Sequence, residues 1–170
     1  MKALLAIATL AFATSAWAQA PNDAQIAQIV VTANQVDIDA GKLAQTKASN
    51  ADVKAFARQM VTDHTGVNKQ ATDLVKKLKV KPEPSDTSKS LAQGGKDNVA
   101  KLKELTKGGA FDKAYIDHEV AYHQAVLDAM DKTLIPDAKN EELKALLVKV
   151  RPAFVSHLEH AKMLQGSLGK

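Results

Sequence analysis

FDKAYIDHEVAYHQAVLDAMDKTL, residues 111–134, is the stretch whose reading decides the fold. Ile116, Val120, His123, Leu127, Met130 and Leu134 recur at spacings of four and three, the core-facing seam of an amphipathic helix. One position on that seam is a histidine. The same anomaly recurs on two other seams. Val53, Phe56, Met60, His64, Val67, Ala71, Leu74 and Leu78 predict a helix over residues 51–79, with His64 near its middle. Leu143, Leu147, Val150, Phe154, His157, Ala161, Leu164 and Leu168 predict another over 140–168, with His157 in the equivalent place. Pro152 lies inside it and is expected to bend it or interrupt its hydrogen bonding.

Outward from these three, residues 24–47 read as a further helix with Ile29, Ala33, Val36, Ala40 and Leu43 on its seam and Asp37 at the edge of the stripe. Asn22-Asp23 and Ser49-Asn50 supply caps. The turn at Ser49-Asn50 is short, so the first two helices are antiparallel neighbours. Residues 80–90, VKPEPSDTSKS, are Pro/Ser-rich and form a connection. Leu91, Val99, Leu102 and Leu105 suggest a weaker, short helical piece, loosened at Gly94-Gly95. No segment alternates with a period of two. The fold class is therefore all-α: an up-down four-helix bundle with a short extra helical segment between helices two and three.

The chain opens MKALLAIATLAFATSAWAQA: a basic n-region at Lys2, an apolar run over 4–13, and Ala16-Trp17-Ala18 as a small-x-small cleavage site. The apolar run is shorter than the roughly 20 residues that cross a bilayer. Residues 1–18 are expected to be a signal peptide cleaved after Ala18. Residues 19–170 then form a single soluble periplasmic domain with no stable membrane insertion. With no cysteine, disulfides and acyl-cysteine anchors are excluded. Cleavage removes Lys2 and no acid, leaving 22 basic against 19 acidic residues, a net charge of about +3 that does not point to nucleic acid. Seven aromatics in 170 residues leave a core of mainly Ala, Leu, Val, Ile and Met, which favours close-packed helices.

Several chemistries fail on spacing. His118 and His123 in HEVAYH are i and i+5, about 140° apart around a helix, so they cannot share an ion as a zinc-protease pair does. The residues three before His64, His123 and His157 are Val61, Val120 and Phe154, so the Glu-x-x-His of di-iron bundles is absent. No nucleophile elbow or phosphate loop occurs.

What remains is His64, His123 and His157 on three helices and Asp37 on the fourth. Asp37 lies 13 residues before Asn50 and His64 14 after it, which puts them at one level. With helix ends near Thr133 and Asn140, His123 and His157 lie 10 and 17 residues from their turn, an offset of about 10 Å. On that register His157 faces Ile116, flanked by Asp112 and Glu119, and the three imidazoles need not converge. The preferred reading makes them neutral core histidines bonded to a facing Asp, Tyr or carbonyl, with Asp63, Tyr115 and Tyr122 as natural partners. The alternative is a transition-metal site for copper, iron or zinc built from His64, His123, His157 and Asp37.

Ala40-Gly41-Lys42-Leu43-Ala44, Val53 to Ala57, Met60-Val61-x-Asp63-His64 and Asn68 resemble the bacterial family called domain of unknown function 4142. Gly109-Ala110-Phe111-Asp112 with Tyr115 and His123, and Arg151-Pro152 followed by His157 and Ala161, extend that resemblance over nearly the whole mature chain. The resemblance implies an exported, ferritin-like protein of unassigned activity and transfers no catalytic residue. The carboxylates of true ferritins are missing. The expected function is that of a binding or envelope-stress protein rather than an enzyme, free to form a homo-oligomer.

Overall fold

The computed structural model describes residues 20–169, which are helical with no strand among them. The expected signal peptide and its cleavage site fall outside the described residues. Helix α1 spans Asp23–Lys47, α2 Ala51–Lys77, α3 Asp86–Glu104, α4 Gly109–Ala129, and α6 Glu141–Leu168. A π-helical turn, Met130–Leu134, and a short α5, Ile135–Asp137, carry α4 onward without a break in helical dihedrals.

Local signals set the ends. Asn22, Asn50, Ser85 and Asn140 each cap a helix by accepting from backbone N–H groups in its first turn. Helix α1 packs on α2 and α3, α4 packs on α6, and α2 packs on α6. Two reciprocal clasps lock the ends. The Asp112 carboxylate, in the first turn of α4, accepts the N–H groups of Ser49 and Asn50, both at 2.9 Å, and the Ser49 hydroxyl. At the other end Asp23, first residue of α1, accepts from Lys139 and Asn140 N–H at 2.8 and 3.0 Å. Each carboxylate thus satisfies backbone donors at a turn that helical hydrogen bonding leaves over.

The core has two lobes. Phe56, Met60, Phe111, Tyr115 and Ile116 fill one, at the end where the α1–α2 turn meets the start of α4. Ile26, Ile29, Leu147, Val150 and Phe154 build the other. Burying each large side chain contributes about 1.5–3 kcal/mol. Between the lobes the seams turn polar, at the level of the histidines.

Two expectations need correction. The segment between α2 and the organising helix is not a short or loosened piece: α3 is a continuous helix of 19 residues that runs through Gly94-Gly95. Gly95 is there because α3 lies so close to α1 that a Cβ would fall 2.5 Å from Val36 Cγ2. Pro152 does not interrupt α6, which is one helix from Glu141 to Leu168. The carbonyl that loses its partner belongs to Val148, an exposed residue, so water can take the bond.

Candidate metal centre

Four helices each bring polar side chains to one level of the core: Asn34 and Asp37 from α1, His64 from α2, Glu119 and His123 from α4, and His157 from α6. Their exposures are 2 % or less. The three imidazoles converge. Ring centroids lie 5.6 Å apart for His64–His123, 5.2 Å for His64–His157 and 5.4 Å for His123–His157. One ligand atom from each lies within 4.8 Å of the other two.

This corrects the register drawn from sequence. The helix bearing His123 does not stop near Thr133 but continues to Asp137, so His123 is 14 residues before its end and His157 is 16 after the start of α6. An offset of two residues is about 3 Å, not 10. Pro136 lies in the last turn of this run, which ends at Asp137. The π turn absorbs the mismatch, with the Ile135 N–H reaching back to the Met130 carbonyl.

Each ring spends one nitrogen on an outer partner. His64 Nδ1 donates to Asn34 Oδ1 at 2.7 Å, and the Asn34 amide is itself oriented by donating to the Val30 carbonyl at 2.8 Å. His123 Nδ1 donates to the Glu119 carbonyl at 3.0 Å, and His157 Nε2 to Asp63 Oδ2 at 2.9 Å. The opposite nitrogens, His64 Nε2, His123 Nε2 and His157 Nδ1, are buried with no hydrogen-bond partner. Outer hydrogen bonds thereby fix the tautomer that leaves each inner lone pair bare.

Asp37 adjoins two of the three rings. Its Oδ2 lies 3.1 Å from His64 Nε2 and 3.4 Å from His123 Nε2, and neither contact is aligned as a hydrogen bond. Nor are they ion pairs. Burial pushes Asp37 up to about 8, His123 down to about 4 and His64 well down, so acid and rings are driven toward their neutral forms. Burial also lowers His157, partly offset by its bond to Asp63. Burial and the nearby Asp37 raise Glu119, whose two carboxyl oxygens are unpartnered. Asp37, Glu119 and His123 form a second group with one ligand atom each within 4.8 Å. Nitrogens and oxygens held tetrahedrally at about 2.0–2.1 Å from one ion are roughly 3.3–3.4 Å apart, which is close to the Asp37 spacings.

Sequence reasoning placed Asp37 beside His64 and named Asp63 as a partner, and it found the three seam histidines. It missed Asn34, which accepts from His64 Nδ1 while Nε2 faces Asp37. It mentioned Glu119 only as a neighbour of another level. Tyr122 donates to the Ala33 carbonyl at 2.9 Å rather than to a histidine, and the Tyr115 hydroxyl is buried without a partner. His118 stacks on Tyr122 with centroids 5.5 Å apart, and His160 lies edge-on to Phe56 at 5.2 Å. Neither is part of the converging set.

The family model described as Domain of unknown function (DUF4142) matches residues 9–164. The chain belongs to this family. No curated protein and no solved structure matches it. The DUF4142 description assigns no activity, so the chemistry of this member is argued from its own side chains.

Proposed function

We propose that this DUF4142 protein binds one divalent transition-metal ion at a His64/His123/His157/Asp37 centre, for sequestration or protection against metal-driven redox damage. The observation that carries the reading is the convergence of three inner nitrogens without a hydrogen-bond partner, each ring oriented by its outer bond, with the Asp37 carboxyl beside two of them. A core built only for stability would pair these atoms or replace them with hydrocarbon, since each buried unpaired polar group costs about 1–3 kcal/mol. Three imidazoles and a carboxylate suit zinc, copper or iron of the +2 state, and no thiolate is present to select copper(I). Glu119 supplies the second negative charge. With Asp37 it neutralises a dication in a pocket where no lysine or arginine is buried among the described residues.

The competing reading, a binding or envelope-stress protein with purely structural histidines, is favoured by the partner that each ring already has. It leaves the inner atoms unexplained. For the architecture, we infer an up-down four-helix bundle of the ferritin-like kind from α1, α2, α6 and the α4–α5 rod, with α3 laid on α1. The apolar run and Ala16-x-Ala18 site support export to the periplasm with residues 1–18 removed, and no helix among the described residues is long and apolar enough to cross a membrane.

The test is metal analysis of untagged protein purified from its native compartment, followed by Zn²⁺, Co²⁺ and Cu²⁺ titration of the chelator-stripped protein. The expected result is one ion per chain, lost in His123→Leu and Asp37→Asn. Failure of the wild type to bind any of the three below micromolar competition with a chelator refutes the reading.

A further inference from the structure

The ligands of the proposed centre are sealed from water. Side-chain exposure is 1 % or less for Asp37, His64, His123 and Glu119, and 3 % for His157. Asp63, bonded to His157 Nε2, is 40 % exposed. Among the carboxylates and imidazoles that touch the centre, it alone reaches both solvent and a ligand. A cavity of about 520 Å³ also reaches the centre through Asn34 and Phe154, which both touch His64. Its remaining wall is mainly hydrocarbon, including Ile29, Val30, Val67 and Leu147, and stripping a dication of water there is prohibitive without ligands.

We infer that Asp63 is the port by which the cation enters and leaves. This rests on the metal-binding reading above and assigns its route. The half-exposed carboxylate, with one oxygen not engaged by His157, captures the hydrated ion. Partial loss of water there is compensated by a negative charge before the ion meets any neutral ring. The ion then passes along the edge of His157 to the inner nitrogens of His157, His64 and His123 and to Asp37. His157 keeps its Nε2–H bond to Asp63 throughout, which holds Nδ1 toward the centre. No covalent bond is made or broken in this transfer. The ion exchanges water for protein donors.

A port and a mere orienting partner differ kinetically. A group that stabilises the passage lowers the barrier in both directions, so its loss slows loading and release together. A group that only orients His157 supports the bound state, so its loss speeds release and leaves loading alone. Asp63→Asn keeps an oxygen to accept from His157 Nε2 and removes the charge.

The experiment is stopped-flow loading of Co²⁺ into the chelator-stripped full chain, read by cobalt absorbance, with release measured by chelator chase. At low ionic strength Asp63→Asn is expected to slow both loading and release about tenfold, with the dissociation constant changed less than threefold, within the 10–10³ range that steering charges command. Salt should slow wild-type loading and have little effect on the variant. Asp63→Glu should restore the rate. Asp73→Asn, which removes an exposed carboxylate paired with Lys69, should load as the wild type does. Equal loading rates for wild type and Asp63→Asn overturn the proposal, as does faster release with unchanged loading, and both leave the centre itself standing. Absence of any Co²⁺ binding by the wild type refutes the centre instead.

Discussion

Asp37→Asn offers the most quantitative handle, because the sign of its effect reverses with metal. In the metal-free fold Asp37 has its pKa raised to about 8 by burial, against a usual value of 3.8. Between those values the folded chain holds a proton that the unfolded chain gives up, so stability falls as pH rises. One proton is about 1.4 kcal/mol per pH unit. The histidines work the other way: their pKa values are lowered from 6.5, so their contribution is complete above about pH 6.5 and is lost as pH falls through it. Between pH 6.5 and 8 the histidines therefore contribute little, and the buried acids Asp37 and Glu119 dominate. Asparagine does not titrate, and any fixed cost of its amide cancels when the two proteins are compared at two pH values. The stability of Asp37→Asn relative to wild type should rise by about 2 kcal/mol across that window. For a domain of this size that is a relative change in Tm of roughly 4–8 °C. The assay is thermal unfolding followed by circular dichroism at pH 6.5 and 8, with chelator throughout. With saturating Zn²⁺ the order inverts, because the wild type gains the binding free energy and the variant has lost a charged ligand. A relative Tm that stays within a degree between the two pH values would show that Asp37 is not a proton-holding buried acid.

His64→Leu in the metal-free protein should cost about 1–3 kcal/mol, since leucine fills the seam position but leaves the buried Asn34 Oδ1 without its donor. His64→Ala should cost about 2–4 kcal/mol through the cavity it leaves, and both should abolish the Zn²⁺-induced rise in Tm. Gly95→Ala should lower stability by about 1–3 kcal/mol, because the added methyl falls 2.5 Å from Val36 Cγ2, and Val36→Ala in the same chain should recover part of that in denaturant melts. Asp112→Ala unties the turn between α1 and α2 and should cost about 2–4 kcal/mol by urea denaturation, with Asp112→Asn less damaging because one carbonyl oxygen remains.

The helices were legible because periodicity and caps agree: the seams through His64, His123 and His157 carry a 3.5–3.6 repeat, and Asn50 and Asn140 mark their starts. The level of Asp37 and His64 was legible for the same reason, since a short capped turn fixes an antiparallel register by counting. The level of His123 and His157 was not. Nothing local announces that a π turn carries the helix past Thr133 to Asp137. Gly94-Gly95 misled in the opposite direction: glycine weakens an isolated helix, yet here it answers to a side chain of α1 nearly sixty residues earlier. Asn34 and Glu119 were passed over because a polar residue at the edge of an apolar stripe looks solvated. Only the fourth helix laid over that edge makes it interior. The Asp112 clasp joins residues 62 and 63 positions apart and has no local signature.

Two carboxylates at Asp37 and Glu119, sealed in a core without a buried cation, destabilise the metal-free chain if ionised and still cost desolvation if protonated. Hydrogen bonding within the cluster does not absorb them. The inner nitrogens are acceptors, the rings' N–H groups point outward, and at most the two carboxyl protons and the Tyr115 hydroxyl remain as donors. The cluster thus has more lone pairs than protons at neutral pH, and what it lacks is a partner for them. Adding protons would supply partners, but it would place imidazolium rings with centroids 5.2–5.6 Å apart in a site sealed from water. A dication supplies two charges at one point, accepts several lone pairs at once, and leaves the rings neutral. On this reading the instability built into the metal-free core is the same quantity that binding releases, so the tightness of the site and the pH dependence of the stripped protein should rise and fall together in any series of Asp37 and Glu119 variants.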